Sequence, residues 1–187
     1  MHINDAIEEY LLECQIRKLS KRTVQNYGVL LKLMSRYLQD KQAIETLEEI
    51  KPIHIKRFIH LQDEKGRKPQ YINDLLKTFL VFFKYCEGEG YIETIPTQRI
   101  KNVKQPKTLI RSFNEQEISG MLAYYSGSDY QSIRNKTMLA LMFDTGIRLN
   151  EMLTLLPNQI MKDRILIHGK GNKERYVPIS PCSQSRL

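Results

Sequence analysis

The residues best suited to chemistry lie in two short stretches. In Asp144-Thr145-Gly146-Ile147-Arg148-Leu149-Asn150-Glu151, Gly146 breaks an apolar helix and Arg148 opens the next, with Glu151 three residues on. A guanidinium at such a place can grip a planar or tetrahedral anion through two parallel hydrogen bonds. A carboxylate one turn later can hold that guanidinium from behind. On spacing alone, an ordinary helix-start Arg–Glu surface pair is the commoner case, and such pairs contribute little. The second stretch is Gly169-Lys170-Gly171-Asn172-Lys173, a glycine-rich turn with two cations. It is no nucleotide-hydrolysing loop: the four-residue spacer before Gly-Lys-Ser/Thr is absent, and a strand follows where that loop needs a helix. A cationic hairpin tip suits phosphate or sugar oxygens in a nucleic-acid groove. Taken alone, it is also what a solvated turn looks like.

The elements that must position these residues follow from the hydrophobic period. Asn114, with Glu117 three residues on, marks a capping box. Helices are expected over roughly 115–125 and 132–143, then a short one bearing Glu151, Met152, Leu153 and Leu155. The period then switches to two, so Arg164–His168 and Arg175–Ile179 are expected to pair as a hairpin. Tyr176 is expected to pack within its strand.

The preceding half reads as four amphipathic helices. Ile3, Ala6, Ile7, Tyr10, Leu11 and Cys14 mark the first; Ser20 caps a second with Val24, Tyr27, Leu31, Met34, Tyr37 and Leu38 inside. Pro52 opens a third, with Ile53, Ile55, Phe58, Ile59 and Leu61 inside and Gly66 past its end. A fourth runs from about Pro69 to Glu87 around Ile72, Leu75, Leu76, Phe79, Leu80 and Phe83. Short amphipathic helices must pack on one another, so a helical bundle is expected. Tyr91–Ile110 reads as a Lys-rich interdomain linker, giving domains of 1–105 and 106–187. On the fourth helix Gln70, Asn73, Lys77 and Lys84 fall on one polar face, and Lys21 and Arg22 sit in the first turn of the second. Such a face can enter a major groove, with amides on bases and lysines on phosphates; a merely solvated face is the competing reading.

In this order, Thr145-Gly146-Ile147-Arg148-Leu149-Asn150-Glu151 and then Gly169-Lys170-Gly171-Asn172-Lys173-Glu174-Arg175-Tyr176-Val177-Pro178-Ile179 resembles the tyrosine recombinase, or phage integrase, family. Leu19 to Tyr27 is similar to the start of the family's helical core-binding domain, and Phe113 to Ile118 to the opening of its catalytic domain. The resemblance implies a mainly α fold with a small antiparallel β hairpin: a four-helix, SAM-like core-binding domain, then the first part of an α+β catalytic domain. It implies a DNA strand transferase working through a 3′-phosphotyrosyl link, with no metal or other cofactor. Arg148 matches the first catalytic arginine, Lys170 the hairpin lysine that acts as general acid, and Glu151 a supporting position. Lys173 and Arg175 are expected on the DNA backbone.

The family's His-x-x-Arg motif and nucleophilic tyrosine have no counterpart before Leu187. The expectation is therefore a chain that binds double-stranded DNA without cutting it, monomeric in solution, although intact members assemble on DNA. The alternative is a non-enzymatic DNA-binding module, or a competitor of an intact recombinase. A helical interaction protein with incidental basicity is the remotest reading.

Composition sets outer limits. The 187 residues are 41% hydrophobic and 27% charged, enough apolar content for a packed core. No run approaches ~18 apolar residues, so no membrane span is expected. The net charge of +8 divides as +5 over residues 1–107 and +3 over 108–187, so both halves suit a polyanion. Cys14, Cys86 and Cys182 are widely spread, which points to free thiols in a reducing, cytoplasmic setting and against a disulfide frame or zinc site.

Overall fold

The computed structural model describes residues 1–106, 109, 111–169 and 173–181. Contacts divide the chain into Met1–Thr108 and Leu109–Leu187.

The first unit is an all-helical bundle: α1 (Ile3–Ile16), α2 (Lys21–Gln42), α3 (Pro52–Glu64) and α4 (Pro69–Gly88). The starts of α2, α3 and α4 each have a local cause. The Ser20 hydroxyl accepts the Thr23 amide at 3.2 Å, while Pro52 and Pro69 occupy first-turn positions where a missing N–H costs nothing. Gly66 and Gly90, just past α3 and α4, take positive φ of 68° and 76°, which glycine adopts without strain. The apolar stripes meet in one core built on Ile7, Leu31, Met34, Leu38, Ile55, Phe58, Phe79, Phe82 and Phe83. Cys14 and Cys86 are free and buried there, and burial pushes the Cys86 thiol up to about 12.

Two expectations change here. Ile53, placed inside from its period, is 48% exposed, and Gln62 is buried on α3 instead. The residues after α4 are also not linker throughout. Ile92 and Ile95 are buried in the first core, and the Tyr91 hydroxyl donates to the Glu9 carboxylate at 2.8 Å. The chain thus stays attached to the bundle well beyond Gly90.

The second unit contains α5 (Glu115–Tyr124), α6 (Tyr130–Thr145), α7 (Leu149–Leu153), a 3-10 turn (Pro157–Gln159), β1 (Arg164–Gly169) and β2 (Lys173–Pro178). Asn114 and Glu117 form the expected capping box, with bonds of 2.8 and 2.9 Å, and Asp129 caps α6 through the Ser132 amide. β1 and β2 pair antiparallel, from Arg164 opposite Pro178 to Gly169 opposite Lys173. Leu141, Ile147, Met152, Ile165, Ile167 and Ile179 form this unit's core among the described residues. The architecture is mainly α with one antiparallel hairpin, as the sequence led us to expect. No helix is long and apolar enough to cross a membrane among the described residues.

Candidate functional site

The arginine stretch is shaped by the end of α6. Gly146 takes φ 64°, and its N–H returns to the Met142 carbonyl at 2.9 Å, closing the helix in a left-handed cap. Ile147, 3% exposed, anchors the turn in the core. Arg148 is then extended and stands at the N-cap of α7. Its side chain is 75% exposed, whereas that of Glu151 is only 7% exposed.

Glu151 is the hub of the site. It accepts the Arg148 backbone N–H at 2.9 Å on Oε2 and the Arg148 Nη1 at 3.0 Å on Oε1. Arg175, on β2, adds a two-pronged bond, Nη1 to Oε1 at 3.0 Å and Nη2 to Oε2 at 2.8 Å. The bonds from Arg175, then the Arg148 backbone, hold the Glu151 carboxyl down at about 2 against the opposing effect of desolvation. The same pairing raises Arg175. A buried carboxylate with two guanidiniums leaves one net positive charge, and the exposed Arg148 turns most of its donors outward. That arrangement suits a tetrahedral oxyanion.

The hairpin brings Arg175 to this place. Ile165 and Ile167 bury one face of β1, and Arg175 stands opposite Ile167. His168 Nδ1 lies 3.1 Å from Glu174 Oε1 across the ladder, at the exposed surface. Tyr176, expected to pack, is 58% exposed, with the Arg164 guanidinium over its ring at 5.1 Å. Lys173 is exposed at the start of β2. Lys170 lies outside the described residues.

The polar face of α4 is partly committed elsewhere. The Asn73 amide donates to the Val103 carbonyl at 3.0 Å and accepts the Val103 N–H at 2.8 Å, so it pins the chain after the bundle. Gln70 donates to Asp74 and accepts from Gln105, each at 3.0 Å. A cleft of about 380 Å³ runs between α4 and residues 97–105, with Lys77 on its wall. Lys77, Lys84, Lys21 and Arg22 are all exposed. The role of Asn73 as an anchor was not legible, because its partner is 30 residues away. Arg175 as partner of Glu151 was likewise missed; the only available signal was strand register, which puts it on the hairpin beside α7.

A helical bundle followed by an arginine-headed short helix and a latched hairpin is the beginning of a recombinase-type architecture, and the comparisons agree. The family described as "Phage integrase family" matches residues 111–186, and "Phage integrase, N-terminal SAM-like domain" matches residues 7–90. Tyrosine recombinase XerD of Halalkalibacterium halodurans is 29% identical over 180 residues, covering 95% of this chain and 60% of the relative. The XerD of Haemophilus influenzae is 31% identical over 176 residues, covering 92% of this chain and 59% of the relative. The chain thus spans about 60% of the length of these curated relatives. A crystallised lambda integrase dimer bound to a COC′ core site superposes with a TM-score of 0.79 at 17% identity, over 100% of this chain and 53% of that one. The Tn1549 transposon integrase with circular intermediate DNA gives 0.70 at 15%, over 100% and 63%. The chain belongs to the phage integrase family of tyrosine recombinases.

Proposed function

We propose that this chain binds duplex DNA in the cytoplasm and carries the phosphate-gripping part of a tyrosine recombinase site. The observation that carries the reading is the exposed Arg148 guanidinium held on a buried, ionised Glu151. Arg148 binds a non-bridging oxygen of the scissile phosphate, where negative charge grows in the transition state. Lys170 donates a proton to the departing 5′ oxygen. Lys173 on the hairpin, with Lys21, Arg22, Lys77 and Lys84 on the bundle, neutralises backbone phosphates. Gln70 and Asn73 reach base edges only by exchanging their present partners Asp74, Gln105 and Val103.

In this reading none of the 10 tyrosines is assigned as the nucleophile, and residues 1–187 bind DNA without cutting it, as a monomer in solution. Two measurements test this. Anisotropy of a labelled duplex titrated between roughly 50 and 200 mM salt should show affinity falling linearly on a log–log plot, by about 0.9 per phosphate neutralised. Absence of binding at low salt overturns the DNA reading. On a nicked suicide substrate the expected result is a retarded complex that denaturant dissolves; a covalent protein–DNA adduct overturns the non-cleaving part.

A further inference from the structure

The Glu151 carboxylate has a second arginine, which the sequence placed on the DNA backbone rather than on this carboxylate. Arg175 takes both oxygens, at 3.0 and 2.8 Å, with the paired geometry by which guanidinium and carboxylate fit best. Arg148 is left with one side-chain bond, Nη1 to Oε1 at 3.0 Å, and stays 75% exposed. The two arginines compete for one planar acceptor, and Arg175 holds the better geometry. If Arg175 were absent, the carboxylate would be free to take Arg148 by the same two-pronged bond. The guanidinium that must face phosphate would then be turned inward and partly neutralised.

The hairpin is also shaped to admit Arg175. A side chain at Gly169 would bring a Cβ to 3.3 Å from the Lys173 carbonyl oxygen, 3.4 Å from Arg175 Nη1 and 3.6 Å from Glu151 Oε1. The bare glycine leaves room for the Arg175–Glu151 fork at the point where β1 runs out toward Lys170. The fork also ties β2 to α7, across 24 residues of sequence.

We propose that Arg175 is a positioning residue: it saturates Glu151 so that Arg148 is supported by the carboxylate yet remains free to grip a DNA phosphate. This assigns Arg175 a different task from a direct backbone contact, and it rests on the reading of Arg148 as a phosphate ligand. The expected signature is a loss that disappears when the carboxylate is neutralised.

The experiment is a double-mutant cycle on the whole chain, read by duplex binding across a salt series. Arg175→Met should weaken binding about tenfold, the size of one charge-assisted contact, and lower the salt slope by about 0.9. Glu151→Gln alone should also weaken binding, because Arg148 loses its charged support. In that background Arg175→Met should cost little further affinity or slope, so the pair should bind like Glu151→Gln, because a neutral amide oxygen holds Arg148 far less strongly than the carboxylate. If Arg175→Met costs the same tenfold and the same slope in the Glu151→Gln background, Arg175 is a direct DNA contact and the proposal fails. If Arg175→Met binds like the parent, the proposal fails as well.

A readout without DNA guards against a folding defect. In the nitrogen-15 spectrum of the arginine side chains, Arg148, held by one bond in the parent, should rotate more slowly in Arg175→Met, while the backbone spectrum stays dispersed. An unchanged Arg148 signal in a folded Arg175→Met variant overturns the capture mechanism. Arg175→Lys, which keeps the charge but lacks the fork, should resemble Arg175→Met rather than the parent. Failure of the parent chain to bind duplex at low salt would instead count against the phosphate reading itself, while the nitrogen-15 result would still judge the competition for Glu151.

Discussion

The two units solve the problem of staying folded in different ways. Met1–Thr108 buries a continuous apolar core in which aromatic rings interlock: Tyr10 meets Phe82 with centroids 5.6 Å apart, and Phe58 meets Phe79 at 5.6 Å. The described part of Leu109–Leu187 has a core of six residues, and α5 contributes no buried residue to it. Its long-range ties include polar ones, the Arg175–Glu151 fork and the Ser180 N–H donated to Asp144 at 2.9 Å. Apolar packing is non-directional and insensitive to pH, whereas charge-assisted bonds are directional and depend on protonation. The unit that carries Arg148 and Glu151 is therefore the one whose shape depends on charge. Orienting an arginine requires directional bonds, which a core of leucine and phenylalanine cannot supply.

The largest test of that division is made in the bundle. Phe79 is fully buried, and Phe79→Ala should cost the first unit about 3–5 kcal/mol through lost transfer energy and the cavity left behind. Amide signals followed through urea should show the bundle melting earlier while signals of α6 and the hairpin keep their midpoint. A common shift of both sets would break the comparison, because it would mean that the units unfold as one.

A second effect belongs to the other unit. Glu151 has its folded value lowered from 4.5 to about 2, so its pairing stabilises the unit fully above the unfolded value. That contribution is lost progressively as pH falls from about 4.5 toward 2. Hairpin and α7 signals should therefore lose stability over this acid window, and Glu151→Gln should flatten the dependence. In the bundle, Glu48 and Glu49 are also lowered, by the N-terminal amine and by the Thr46 backbone N–H respectively, but both are exposed, so the bundle should respond less. Equal acid sensitivity in the two units would remove the contrast.

How much of this was legible in the sequence follows the same line. Elements set by local chemistry were readable: the Ser20 and Asn114 caps, Pro52 at a helix start, the Gly146 break and the period-two strands. The stripe of α4 was readable because Leu75, Leu76, Phe79 and Phe83 recur with the helix itself. Ile53 was not, since a periodic position in a first turn can project past the edge of the core. Ile92 and Ile95 were hidden in a segment without a period, and only the bundle's surface tells them where to go. At the site, Arg148 and Glu151 are neighbours on one turn and declared themselves. Arg175 reaches Glu151 only through the hairpin register, and Asn73 reaches Val103 only through the fold. Pairs that depend on tertiary return of the chain leave no mark in spacing.

The smallest effect separates the units at their helix starts. The Ser20 hydroxyl accepts the Thr23 amide at 3.2 Å and lies 2.8 Å from the Thr23 hydroxyl, in a helix whose inner face is already held by Leu30, Leu31, Met34 and Leu38. Asn114 and Glu117 exchange two bonds of 2.8 and 2.9 Å at the head of α5, which buries no residue of its own. Both caps satisfy donors that the helix cannot, and such caps contribute about 0.5–2 kcal/mol. Ser20→Ala should fall at the low end and leave α2 exchange rates nearly unchanged, because packing holds that helix. Asn114→Ala should cost about 1 kcal/mol and raise amide hydrogen exchange through the first turn of α5, with α6 unaffected. If α5 exchange did not respond to Asn114→Ala, local polar bonds would not be what holds that helix, and the second unit would have to be read as packed like the first.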